Sequence, residues 1–413
     1  MPATRAVVLV LALGPALAAD AGQSAPPDRD PPPAAVRLIL ADHPTLAIFD
    51  RAVRLELKGR FDADVVDLGD TGGSAGPDWS GRRIGVGLSI GRTLDADVSR
   101  ELAGDRPWRD VHLTWRVRPW LYARGGRFKV PFSEERVRSL TDQDFLERSL
   151  AARTLAPGRD VGLLAGGRAA GRRVEWEAGV FEGRGEAWPG KTPLESTPAT
   201  PLVAIRVGAR PLAARREGRW RSLRAAVAVT RGDRAAGLGG LEAATVLDRA
   251  RFTLPVFVAG PERRLGLETQ FTPGRLRLRA EWMRLSQARL AQGLDGADLP
   301  TLRATGWHTS AVWQVFRRRG RDHSPTTDWL RSGEVAIRVE GLAFAAAAGA
   351  DGPFAEVLPL PRHRAVTAGT TWTLHRWIVV QVDVVHERLV SAGIAALAGD
   401  RRTSVGARWR LAF

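Results

Sequence analysis

The feature that most constrains this chain is an alternation of apolar and polar residues that begins near Val53 and is still running at the last residue, Phe413. In VRLELKGRFDADV, Val53, Leu55, Leu57, Phe61, Ala63 and Val65 share one parity, while Arg54, Glu56, Lys58, Arg60, Asp62 and Asp64 share the other. A period of two belongs to an extended chain whose successive side chains point to opposite faces, so the segment reads as a strand with one apolar and one charged face. The pattern returns in Ile84, Val86, Leu88 and Ile90, in Val111, Leu113, Trp115 and Val117, in Leu276, Leu278, Ala280 and Trp282, and in Val405, Ala407, Trp409 and Leu411. No stretch sustains a helical period beside these. Strands are predicted near 53–67, 82–90, 93–100, 109–118, 121–130, 159–168, 173–182, 201–211, 220–230, 263–272, 275–287, 304–316, 331–344, 364–374, 377–390 and 402–413.

Those segments number about sixteen, and bacterial outer-membrane barrels have even strand counts. Their connections alternate as well. Gly91-Arg92, Pro119-Trp120, Pro273-Gly274 and His375-Arg376 are tight, whereas 68–81, 131–158, 183–200, 231–262 and 345–363 are long; 317–330 falls where a short turn is expected and is long. A soluble β-sandwich would also alternate, but its apolar face fills a core of large aliphatics. Here many apolar-parity residues are Trp, Val and Leu near strand ends, and the other parity carries rows of arginine. Each arginine turned to lipid at the midplane would cost about 2–4 kcal/mol, so the rows must line a wet lumen. The expected fold is all-β, a transmembrane antiparallel barrel ending, as outer-membrane barrels do, on a C-terminal phenylalanine.

The first residues, MPATRAVVLVLALGPALAAD, carry an early cation at Arg5, an apolar run and Ala16-Leu17-Ala18, which is the form of a secretory signal cleaved near Ala18 or Ala19. The expected division is a signal peptide over 1–19, an N-terminal linker or periplasmic segment over 20–52, and the barrel over 53–413. There is no cysteine, so no disulfide framework supports the exported chain. Beyond the signal no apolar run approaches the roughly twenty residues of a membrane-spanning helix, which excludes an inner-membrane helical protein. The net charge of +16 would ordinarily suggest nucleic acid or another polyanion as partner. With only three lysines, Lys58, Lys129 and Lys191, the preference for arginine reflects coding bias, but the excess of positive charge does not.

Two stretches are more specific. GRFKVPFSEE, Gly126 to Glu135, followed by FLERSLAARTLAPGRDVG, Phe145 to Gly162, resembles the phosphate-selective porin O and P family of Gram-negative outer membranes. LKGRFDAD near Lys58, RRIGVGLSIG at Arg82, VFEGRGE near Val180, SGEVAIRVEGLAF at Ser332 and the closing RRTSVGARWRLAF are ordinary strand sequences in matching order. The resemblance, over residues 40 to 413, implies a homotrimer of sixteen-stranded barrels in the outer membrane, in contact with its lipid. It also implies an arginine-lined conduit for phosphate-like inorganic anions and an inward-folded constriction loop, placed here at 131–158. On that reading the anion pathway comprises Arg60, Arg83 and, beside them, Arg82, together with Arg127 and Lys129 at the strand end and Arg136 and Arg138 within the loop. Glu134, Glu135, Asp142 and Glu147 are the carboxylates that would instead pair those cations into a solvated wall. The family's lysine funnel has little counterpart in a chain with three lysines, and planar arginine donors hold phosphate more tightly. A general, non-selective porin is the alternative.

Other chemistry finds little support. Gly87-Leu88-Ser89-Ile90-Gly91 has the G-x-S-x-G form of a hydrolase elbow, but alternation runs straight through where a helix should begin. The seven histidines show no metal-ligand spacing, so neither catalysis, metal nor cofactor is expected. A secreted polyanion-binding β protein would place its cations on loops with aromatic stacking partners. Here they alternate inside strands, and no nucleic-acid partner is expected.

Overall fold

The computed structural model describes residues 36–40, 43–49, 52–68, 74–103, 108–185, 197–213, 218–239, 241, 243–247, 256–293, 295–318, 330–346, 362–390 and 401–413. The chain order is β1 (Val36–Leu40), β2 (Pro44–Ile48), β3 (Val53–Asp67), β4 (Ser74–Ile90), β5 (Leu94–Glu101), β6 (Trp108–Arg118) and β7 (Leu121–Lys129), then α1 (Glu134–Val137) and α2 (Leu150–Leu155). There follow β8 (Arg159–Ala169), β9 (Val174–Phe181), β10 (Leu202–Ala209), β11 (Arg224–Gly239), β12 (Val256–Phe271), β13 (Leu276–Arg289), β14 (Leu299–Arg317), β15 (Ser332–Ala346), β16 (Arg362–His375), β17 (Ile378–Val390) and β18 (Arg401–Ala412).

From β3 onward each strand pairs antiparallel with the next, and β18 returns to β3 in a register running from Val405↔Asp67 to Ala412↔Arg60. The sheet therefore closes as a sixteen-stranded barrel with no free edge in its wall. The sixteen predicted strands correspond to β3–β18. The hairpin β1–β2 lies within the stretch read as a linker; β2 pairs with Val53–Glu56, continuing the seam where the C-terminus stops. The expected signal and the residues up to 35 lie outside the described residues, as do 319–329 of the unexpectedly long 317–330 connection.

Short connections gather at one end, where Gly91 and Gly274 adopt φ of +58° and +68° that other residues resist. Long ones gather at the other, as in outer-membrane barrels with short periplasmic turns and longer external loops. On β15 the two faces separate cleanly: Val335, Ile337 and Val339 are 41–49 % exposed, whereas Arg338 and Glu340 on the inner parity are 1 % and 0 %. Trp115, Trp120, Trp220, Trp313, Trp372 and Trp409 stand on the exposed exterior, the usual place of interfacial aromatics.

Strands outrun their predicted bounds toward the loop end: β4 begins at Ser74, and β11 and β12 extend to Gly239 and from Val256, so strand takes up much of the expected connection 68–81 and half of 231–262. On two further strands, within their predicted bounds, the apolar parity changes sides toward the loop end. On β13 the inner face runs Arg279, Glu281, Met283, Leu285, while the outer face passes from Trp282 to the exposed Arg284. On β17 it passes from Val384 outward to exposed Arg388, while Val385 and Leu389 turn inward into the core. Past the bilayer the outer face meets water, where charge costs little, and the inner face becomes a place to bury apolar surface.

Candidate functional site

The segment 130–158 leaves β7, crosses the lumen and is fixed to the far wall. Its first turn is set by Ser133, whose backbone takes φ of +68° and whose hydroxyl accepts the Arg136 amide at 3.1 Å while donating to Glu281 of β13 at 2.6 Å. The Glu135 amide donates to the same carboxylate at 2.7 Å. Further along, the Leu146 amide donates to Asp383 of β17 at 2.7 Å and the Leu150 amide to Glu340 of β15 at 2.5 Å. Arg338 donates to the Glu147 carbonyl at 2.9 Å, and Arg408 of β18 to the Leu146 carbonyl at 2.6 Å. Wall residues thus satisfy loop backbone groups that burial would otherwise leave unpaired.

Glu135 ties the two ends of this segment together, accepting the Ser149 amide at 3.1 Å and the Ser149 hydroxyl at 2.5 Å, with Arg338 3.5 Å away. Burial opposes its ionisation, but His308, Arg338 and the Ser149 hydroxyl outweigh burial and hold the carboxyl down at about 2. Asp144 behaves alike: burial pushes up, but Arg138, Arg279 and Arg277 bring it below the usual carboxylate range.

Capped by Ser149, α2 buries Leu150, Ala151, Ala152 and Leu155 against Met283, Leu285, Leu302, Ala304, Leu342 and Phe344 of the wall. Gly306 permits this close approach, since a Cβ there would stand 2.8 Å from that of Ala151. Residues 243–247 complete the packing from above. Arg153 of α2 donates to the carbonyls of Ala244, Thr245 and Val246 at 2.6–3.1 Å, and the Val246 amide donates to Glu387 at 3.1 Å. The lumen beside β11–β17 is therefore an apolar core.

The opposite sector stays polar. A cavity of about 580 Å³ opens between the loop tip, Ser139, Thr141 and Asp142, and a wall formed by β3–β6, β17 and β18. Lys58, Arg60, Arg83, Arg376 and Arg410 line it, against Asp97, Asp110 and Asp142. Lys58 pairs with Asp97; Arg83 reaches Glu101 at 3.2 Å; Arg410 Nε donates to Asp62 at 2.7 Å across the barrel seam. The buried Arg410 Nη2 has no hydrogen-bond acceptor among the described residues. A second cavity, about 330 Å³, lies on the other flank of the loop, where Arg206 is held by Glu268 and Arg224 by Glu175 at 2.9 Å.

Of the residues predicted from sequence, Arg60 and Arg83 come together in the larger cavity. Arg82 stands on the opposite, exposed parity, and its amide donates to Glu101 at 2.6 Å. Lys129 donates to the Val137 and Arg138 carbonyls, each at 2.8 Å, and so fastens the base of the loop. Arg127 is buried, and Arg136 is half-buried in α1. Arg138 lines the smaller cavity and pairs with Asp144 at 3.1 Å. Lys58, Arg376, Arg410 and Asp142 were not singled out as pathway residues. Lys58 and Arg410 lie on the charged parity already visible in β3 and β18, but only closure of the sheet brings those two strands side by side.

An apolar exterior, a closed sheet and a polar cavity beside an inward loop define an outer-membrane β-barrel channel. The chain belongs to the phosphate-selective porin O and P family, whose model matches residues 51–323. No curated protein matches the sequence. Among solved structures the fold is similar to OmpT of Vibrio cholerae, at 12 % identity and TM-score 0.56, covering 88 % of this chain and 98 % of that one. It is also similar to the outer membrane channel DcaP of Acinetobacter baumannii, at 11 % identity and TM-score 0.57 over 88 % and 98 %. Salmonella typhi OmpF, solved with daunomycin, aligns at 13 % identity and TM-score 0.56 over 89 % and 99 %.

Proposed function

We propose that this porin is a passive diffusion channel favouring small anions, phosphate among them, and that it works as a homotrimer after export with removal of residues 1–19. The observation that carries the reading is the larger cavity, where among the described residues Lys58, Arg60, Arg83, Arg376 and Arg410 face Asp97, Asp110 and Asp142. Fixed donors in a narrow conduit replace part of an anion's hydration and raise the barrier for cations. The trimer rests on the family and on the trimer form solved for Vibrio cholerae OmpT. A weakly selective general porin is the second reading, favoured by the partners that Lys58, Arg60 and Arg83 already have in Asp97, Asp62 and Glu101.

Single-channel recording across a potassium chloride gradient, with phosphate added afterwards, tests both. A reversal potential on the anion side followed by phosphate block supports the first; anion preference without block leaves the general porin; cation preference overturns the anion channel. Crosslinking after gentle detergent extraction tests the trimer, and a band at monomer mass alone counts against it.

A further inference from the structure

We propose that the outer face of β16–β18, at the loop end, binds the phosphate groups of a phosphorylated glycolipid in the outer leaflet. The proposal rests on the outer-membrane placement of the barrel and not on what crosses its lumen. Arg364 stands directly opposite Arg388, and Arg388 directly opposite Arg401, so three guanidinium groups form one row across neighbouring strands. All three are exposed, as is Arg362 two residues beyond Arg364 on the same face. Strands lie about 4.8 Å apart, and like charges directly opposed across a sheet are destabilising. None of the four has an ion pair or hydrogen bond among the described residues. The inward parity of the same strands differs: Arg408 is held by Asp64 at 2.6 Å, Arg410 by Asp62 at 2.7 Å, and His363 lies 2.8 Å from Glu387. These lumen-facing groups have carboxylate partners; the outward four do not.

The row stands at the edge of the apolar band. Toward the short turns the outward positions become Val366, Val384 and Val405, 41–43 % exposed. Trp372 and Trp409, exposed near the other edge, lie eight residues from Arg364 and Arg401 respectively. At about 3.4 Å per residue and a tilt of about 40°, eight residues rise about 21 Å, close to the height of an apolar band of about 25 Å with an interfacial girdle at each edge. On these strands arginines therefore stand where the loop-end girdle falls, at the depth of the lipid headgroups. A phosphate set between two neighbouring guanidinium groups accepts hydrogen bonds from both and offsets their repulsion, and planar arginine donors match its oxygens.

The test measures, by native mass spectrometry, the lipid retained by the purified full-length porin in detergent when bisphosphorylated lipid A and its dephosphorylated form are offered at equal concentration. The phosphorylated form is expected to be retained and the dephosphorylated form largely lost. Replacing the row together, Arg364→Gln with Arg388→Gln and Arg401→Gln, is expected to weaken retention about a hundredfold, at about fivefold for each arginine near a charged lipid surface. Removing the same charge at the short-turn end, with Arg92→Gln, Arg118→Gln and Arg172→Gln, should leave retention as in the parent. Heat-modifiable migration checks that both variants are folded barrels. Equal retention of the two lipids, or retention that survives loss of the row, overturns the proposal. Inorganic phosphate competing with lipid A on equal molar terms also overturns it, because the row would then be a site for the free anion. So does loss of the oligomer in the row variant with lipid A still bound, which would mark this face as a subunit contact. A cationic reversal potential would instead sink the anion channel and leave the lipid comparison standing.

Discussion

The two sides of this lumen come from the same alternating strands yet do opposite work. Beside β11–β17 the inner parity becomes apolar toward the loop end and closes over α2 and residues 243–247. Beside β3–β6 and β18 it stays charged and leaves an open cavity. The difference lies in what the crossing loop presents: Leu150, Ala151, Ala152 and Leu155 to one wall, Ser139, Thr141 and Asp142 to the other. An apolar face removes water and anchors the loop, and a polar tip keeps water beside it. A barrel of sixteen strands can thus narrow its passage to one sector without changing strand number.

The most damaging way to erase the contrast is to make the packed side polar. Leu150→Asp would place an uncompensated charge at a fully buried position, at a cost of about 3–5 kcal/mol, so α2 should leave the wall. Conductance is expected to rise severalfold while the barrel still migrates as heat-modifiable. Unchanged conductance in a folded variant would mean that the apolar sector does not restrict the passage. Gly306→Leu attacks the same contact by bulk alone, and should produce a smaller rise.

Next in size is the latch at Glu135. Glu135→Gln keeps the side-chain shape but removes the charge facing Arg338 and His308, with an expected loss of about 1.5–3 kcal/mol in loop attachment, read as flickering of the open channel. Acid should mimic it. The folded carboxyl titrates at about 2 against an ordinary 4.5, so its stabilisation is complete above pH 4.5 and is lost as pH falls toward 2. Asp144, also lowered, works in the same direction. Flicker should therefore be flat from neutrality to pH 4.5 and grow below it, and the glutamine variant should show less of this growth.

Much of one half of the comparison was legible beforehand. Period two located the strands because lipid and water hold the two faces to opposite chemistry over the bilayer. The inward loop came from the Gly126–Gly162 resemblance, since nothing local in a charged segment says whether it folds in or out. The apolar sector escaped because its signal is a reversal: at Met283 and Leu285 the inner face turns apolar just as Arg284 appears outside. Pairings across the seam, such as Arg410 with Asp62, depend on closure of the first strand on the last and leave no local trace.

The gentlest tests sort the cations by side. Arg83→Glu reverses a charge in the open cavity and should move the reversal potential toward cations, whereas Lys129→Met removes a tie to the Val137 and Arg138 carbonyls and should increase current noise with little change in selectivity. Arg82 is one residue from Arg83 but on the exposed parity, so Arg82→Glu alters the same net charge on the far side of the sheet. Solvent and salt screen a charge so placed, and the wall separates it from the conduit. Its reversal potential should stay within error of the parent in the same salt gradient. If Arg82→Glu shifts selectivity as far as Arg83→Glu does, distance from the lumen is not what decides, and selectivity is set by the overall surface charge near the channel mouth.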